Sequence, residues 1–183
     1  LLVDDGDRFF FQPCFSPVWD TAIATHALGR AGFAPADRMV KAGDWLLSKE
    51  VRRKGDWSVK RPNVEPSGWY FEFANEFYPD IDDTAMVLLG LSHTGASRQA
   101  DLQATTARAI NWLKAMQSKD GGWAAFDVDN DLHNLSEVPF ADHNAMLDPT
   151  CPDITGRVLE ALCLCGESPD SPAVRRGVEY LRR

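Results

Sequence analysis

The chain repeats itself. Three segments follow a proline, reach a threonine, run apolar at helical spacing and stop at a glycine: Trp19-Asp20-Thr21 to Gly32, Asp82-Asp83-Thr84 to Gly95, and Asp153-Ile154-Thr155 to Gly166. The threonine-to-glycine distance is eleven residues each time. Pro17, Pro79 and Pro152 fall at the starts, where a helix tolerates a missing N–H, and each glycine falls where a helix C-terminus accepts left-handed backbone. Second helices are predicted between these runs, over about 35–49, 102–118 and 172 to the last residue. They share an aromatic-leucine step, Trp45-Leu46, Trp112-Leu113 and Tyr180-Leu181, whose aromatics lie 67 and 68 residues apart. Two of them lead into a matching turn: Gln117-Ser118-Lys119-Asp120-Gly121-Gly122-Trp123, and a degenerate copy from Glu50 through Gly55-Asp56-Trp57. The third copy, Arg176-Gly177-Val178-Glu179-Tyr180-Leu181, reaches no Gln, Gly or Trp.

Such a repeat constrains the fold, because each unit can bury its apolar face only on a neighbour. Helical hairpins with long loops on one side are expected, with each Gln bonding backbone at a helix end and each Trp packing on the next unit. A period well above 50 residues is long for a solenoid. The reading is all-α: an incomplete α/α toroid of the six-hairpin type, with about three hairpins present. They form one partial domain over 1–183, with repeats at about 16–57, 79–123 and 151–183.

Charge narrows the function. Lys and Arg total 19 against 27 Asp and Glu, a net charge of -8, whereas nucleic-acid binding rests on basic patches. No apolar run approaches the roughly 20 residues of a membrane span, and Leu1–Arg8 has no signal-peptide pattern. Cys14, Cys151, Cys163 and Cys165 fit neither a disulfide framework nor a zinc pattern. His26, His93, His133 and His143 lack metal-pair spacing. Asp127-Val128-Asp129-Asn130-Asp131 starts like a calcium loop, but Leu132 stands where the turn glycine belongs and Val138 where the bidentate Glu belongs.

Chemistry concentrates in Pro79-Asp80-Ile81-Asp82-Asp83-Thr84-Ala85, which sets three carboxylates at the start of an inner helix. One Asp there is a cap; three within four residues exceed what a cap needs. Crowded carboxylates do not all ionise cheaply, so one is expected to hold its proton and serve as a Brønsted acid. Metal binding competes, but no second acidic cluster completes a cage.

This D-x-D-D-T-A stretch and the Q-x3-G-x-W repeat resemble the class II terpene cyclases, most closely the squalene–hopene cyclases. Gln12–Asp20, Lys60-Arg61-Pro62-Asn63, and Gly122-Trp123 with Asp127–Asn130 extend the likeness over almost the whole chain. The resemblance implies a membrane-bound α/α double-barrel isomerase (intramolecular transferase) that folds squalene and protonates a terminal alkene. A carbocation cascade to hopene or hopanol follows, with no cofactor and no metal. This chain matches the first half of the catalytic barrel.

By the same resemblance Asp82 is the proton donor, and Asp80 and Asp83 are its flanking carboxylates. Arg157 stands where some members carry a His; always charged, it can hold the motif's charge but not shuttle a proton. Asp153 matches a polar residue of the reprotonation network. Trp19, Phe71 and Phe126 match cavity-lining positions, Phe126 in place of a Tyr, and Trp69 flanks Phe71. Their π faces suit cationic intermediates. Phe140 and His143 align with the loop at the substrate-channel constriction. Trp57, Trp112 and Trp123 belong to the repeat and are expected to be structural.

The implied partners are squalene and, through regions outside this chain, the cytoplasmic face of a membrane as a peripheral protein; no nucleic acid is implied. A class II diterpene cyclase shares the acidic motif but needs a basic diphosphate pocket, for which Arg52-Arg53-Lys54 and Lys60-Arg61 are the candidates. A non-catalytic helical module binding an apolar ligand or partner chain is the third reading. The isolated chain is expected to self-associate, adopt a compensating packing or be poorly soluble, and to be catalytically silent, its aspartates ionising like solvated carboxylates.

Overall fold

The computed structural model describes residues 2–4, 6–11, 14–132 and 146–183. The three repeats appear as helical hairpins: α1 (Pro17–Arg30) with α2 (Asp37–Ser48), α3 (Ile81–Thr94) with α4 (Gln99–Ala115), and α5 (Pro152–Leu164) with α6 (Pro172–Leu181). Proline opens α1, α5 and α6, where its missing N–H costs nothing. At the other end of the inner helices Gly32, Gly95 and Gly166 all adopt positive φ, as the eleven-residue spacing predicts.

The inner helices α1, α3 and α5 lie side by side, with α3 packed between the other two, and α2 and α4 back α3 from outside. Eleven of the fourteen residues of α3 are buried, Ile81 to Leu91 almost without interruption, against three in α1. A helix apolar on all sides belongs in the interior, and α3 is the spine of the molecule. Close approach of α1 depends on Gly90, where a Cβ would lie 2.7 Å from Thr25 Oγ1 and 2.8 Å from the Ala22 carbonyl. This two-layer arrangement is a segment of an α/α toroid, with one addition. Leu2–Asp4 (β1) and Phe9–Phe11 (β2) pair antiparallel with Val3 opposite Phe10, a hairpin absent from the all-α reading. Its three consecutive phenylalanines suit extended backbone better than helix.

Hydrogen bonds show how one hairpin locks to the next, and which tryptophans are equivalent. The Trp123 indole N–H donates to the Leu113 carbonyl (2.7 Å) and its backbone N–H to Thr155 Oγ1 (3.0 Å). The residue with the same bonds one repeat earlier is Trp69, not Trp57: its indole donates to Leu46 (2.7 Å) and its backbone N–H to Thr84 Oγ1 (2.9 Å). Trp57 instead packs edge-on against Trp112, ring centroids 5.9 Å apart. Gln117 donates to the carbonyls of Gly121 (2.8 Å) and Ala173 (2.9 Å), and accepts from Arg176 of α6.

Glu50, 67 residues earlier, makes the equivalent latch with a charge. Its carboxylate takes Arg108 Nε at 2.9 Å and Nη2 at 2.6 Å, with Ser67 and Thr105 hydroxyls at 2.8 and 3.0 Å. Burial pushes the Glu50 carboxyl up, but Arg108 and the two hydroxyls outweigh it and hold the group below its ordinary range. The copy that looked degenerate is a bidentate ion pair in place of an amide lock.

Candidate functional site

Asp80 is the N-cap of α3. Its Oδ1 accepts the backbone N–H of Asp82 (2.6 Å) and of Asp83 (3.2 Å), satisfying two of the helix's orphan donors. Its own N–H donates to the Trp69 carbonyl (2.7 Å), so the repeat tryptophan and the acidic motif are fixed by one backbone pairing. Capping thus accounts for one of the three carboxylates and leaves two without that role.

These two differ in surroundings. Asp83 is 2% exposed, and its Oδ1 has no hydrogen-bond partner. Burial above all, then the charges of Asp80 and Asp82, push its carboxyl up to about 8 against the opposing pull of Arg157. Burial likewise raises Asp80 to about 6; the two N–H bonds oppose this, and Asp82 and Asp148 add to it. At neutral pH Asp83 therefore keeps its proton. The sequence expectation that these aspartates ionise like solvated carboxylates is corrected: the described hairpins suffice to desolvate two of them.

Asp82 is partly exposed and forms an ion pair with Arg157 of α5, their side chains 24% and 28% exposed. The guanidinium also lies over the Trp19 ring of α1, 5.2 Å from its centroid. The N-terminal ends of three inner helices therefore meet in one string, Trp19–Arg157–Asp82. Asp153 lies one turn before Arg157 and is exposed. The Cys151 thiol beside it, then the backbone N–H groups of the α5 terminus and Arg157, hold it below the usual carboxylate range.

The aromatic candidates divide. Phe126 is 45% exposed and Phe71 half-buried, so each retains ring surface. Trp19 has one face taken by Arg157. Trp69 is fully buried within this chain and committed to Leu46, which leaves no face for a ligand; its assignment to the repeat corrects the cavity-flanking expectation. Phe140 and His143 lie outside the described residues. Asp148 went unnoticed in the sequence. It sits 22 residues from Phe126 with no motif around it, yet its carboxylate holds the backbone of 125–127 beside the aspartates.

The candidate diphosphate-binding bases are engaged elsewhere. Lys60 Nζ donates to the Val128 carbonyl at 2.5 Å and Arg61 Nε to the Ala115 carbonyl at the end of α4 (2.6 Å). Arg52 pairs with Glu50 and Glu65, and Arg53 with Glu76. Among the described residues no helix is long and apolar enough to cross a membrane.

Residues 15–183 match the family model described as the squalene-hopene cyclase C-terminal domain. Over 190 residues the chain is 47% identical to a probable squalene–hopene cyclase of Sinorhizobium fredii, covering all of this chain and 29% of that protein. It is 46% identical over 193 residues to the squalene–hopene cyclase of Bradyrhizobium diazoefficiens, again over the whole chain and 28% of the relative. With the squalene–hopene cyclase of Alicyclobacillus acidocaldarius the identity is 43% over 180 residues, covering 98% of this chain and 28% of that one. The chain thus spans less than a third of the length of these relatives.

Proposed function

This chain belongs to the squalene–hopene cyclase family, and from that premise we propose that it supplies the acid and part of the cavity wall of an enzyme that cyclises squalene by protonation. The observation that carries the proposal is the carboxylate cluster at the α3 N-terminus, with one buried carboxyl that keeps its proton and one paired with Arg157.

Alkene protonation needs a strong acid in a dry site. An apolar substrate filling the complete cavity displaces water from the cluster and supplies those dry surroundings. The Asp82 O–H proton then passes to a terminal alkene carbon: the π bond breaks, a C–H bond forms, and a tertiary carbocation appears. Arg157, paired with Asp82, stabilises the carboxylate left behind; Asp80 holds the helix end, and Asp83 keeps a proton within the cluster. Asp153, beside Arg157, is proposed to belong to the network that returns the proton. Phe71, Phe126 and the partly exposed Trp19 present π surface to the cations, each contact worth up to about 2 kcal/mol when desolvated.

The diterpene reading loses ground because Lys60 and Arg61 are spent on backbone carbonyls. A packing module has no use for a buried carboxyl that costs stability. Association of the complete protein with a membrane, through regions outside this chain, is part of the proposal, as is a loop function for Phe140 and His143.

Asp82→Asn in the complete protein retains shape and removes the acid. Turnover of detergent-solubilised squalene is expected to fall below a tenth of wild type; a variant keeping a tenth or more refutes Asp82 as the donor. Wild-type conversion of geranylgeranyl diphosphate in place of squalene refutes the substrate.

A further inference from the structure

We propose that Asp148 is a positioning residue: its carboxylate anchors the backbone of 125–127, and with it the Phe126 ring, to the end of the helix that carries the aspartates. The inference rests on the cyclase reading above and extends it to a residue outside the acidic motif.

Three consecutive backbone N–H groups converge on this side chain. Ala125 donates to Oδ1 at 3.2 Å, and Phe126 and Asp127 donate to Oδ2 at 2.7 and 2.6 Å. Charge-assisted bonds of this length are the stronger kind, and three on adjacent residues leave the local backbone little freedom. The Asp148 N–H in turn donates to the Asn130 carbonyl (3.1 Å), so the segment is held from both ends.

The anchored backbone is tied to the acid. The Ala125 carbonyl accepts the N–H of Ile81 (2.8 Å), the residue between Asp80 and Asp82. The Asp148 charge is also felt at Asp80, whose carboxyl it helps to raise. Phe126 itself is 45% exposed, so packing covers only part of its ring. Its placement therefore depends on its backbone, and its backbone depends on Asp148. A ring meant to face a cation must be placed to a fraction of an ångström, since misplacement by about 1 Å costs on the order of a hundredfold.

The test uses Asp148→Asn in the complete protein. The amide NH2 cannot accept a hydrogen bond, so at least one of the three bonds is lost while volume is kept. Amide hydrogen exchange at Phe126 and Asp127 is expected to accelerate at least tenfold, with that at Trp123 unchanged. Unchanged exchange overturns the anchoring whether or not squalene is turned over, so this arm is independent of the cyclase reading. In the activity arm, kcat is expected to fall about tenfold at unaltered KM, with partly cyclised products matching those of Phe126→Ala. The double variant should give the Phe126→Ala mixture and no further loss; a wild-type mixture, or losses that multiply, overturns the positioning role. Asp148→Glu keeps both acceptors one methylene further out and serves if the Asn variant does not fold. It should shift products in the same direction, and a wild-type mixture from it overturns the proposal.

Discussion

Asp83→Asn tests whether the buried carboxyl holds a proton as the structure requires. Its folded-state value of about 8 lies above the roughly 3.9 of an unfolded aspartate, so between these limits the folded chain binds one proton more than the unfolded chain. Stability is therefore greatest below the unfolded value, falls as pH rises, and levels off above about 8. The full shift corresponds to roughly 6 kcal/mol at about 1.4 kcal/mol per pH unit. Asp80, raised to about 6 for the same reason, contributes its own loss at the lower end of the range. The interval from pH 6 to pH 8.5 isolates Asp83, with an expected loss of about 2–3 kcal/mol in wild type. Asparagine cannot ionise; whatever constant offset it introduces, its stability should stay nearly flat over that interval. Denaturant unfolding of both proteins, pH by pH, reads the difference directly. Parallel wild-type and variant curves between pH 6 and 8.5 would mean that Asp83 is ionised at neutrality and that the cluster is not a proton store.

Phe71→Ala should lower squalene turnover and release prematurely terminated products, because an unprotected cation loses a proton early; an unchanged product profile in gas chromatography would reduce the ring to packing. Arg108→Ala leaves the Glu50 carboxylate buried without its partner and should cost about 3–5 kcal/mol in denaturant unfolding. Glu50→Gln, which restores the residue type of the Gln117 lock, should cost less than half of that, and equal losses would show that the ion pair itself is not what matters.

Much of the fold is legible along the chain because helix ends are local events. Pro17, Pro152 and Pro172 start helices, and Gly32, Gly95 and Gly166 end them through φ values that other residues resist. The acidic motif is legible for the same reason: Asp80, Asp82 and Asp83 are neighbours in sequence, and their crowding needs no tertiary information. The repeat tryptophan is harder. Gly55-Asp56-Trp57 imitates the Gly121-Gly122-Trp123 spacing better than Gly68-Trp69 does, and only the bonds to Leu46 and Thr84 reveal Trp69 as the equivalent residue.

Tertiary packing decides how the three aspartates divide their work. All three are the same side chain on the same helix turn, so sequence determines that a proton must be shared among them but not where it sits. Burial beneath neighbouring helices places it on Asp83, the capping geometry engages Asp80, and Arg157, 75 residues away on α5, takes Asp82. Asp148 reaches Phe126 across a shorter gap of 22 residues that no local motif marks. Desolvation and long-range ion pairs depend on what surrounds a group in space, and sequence neighbours carry no record of that.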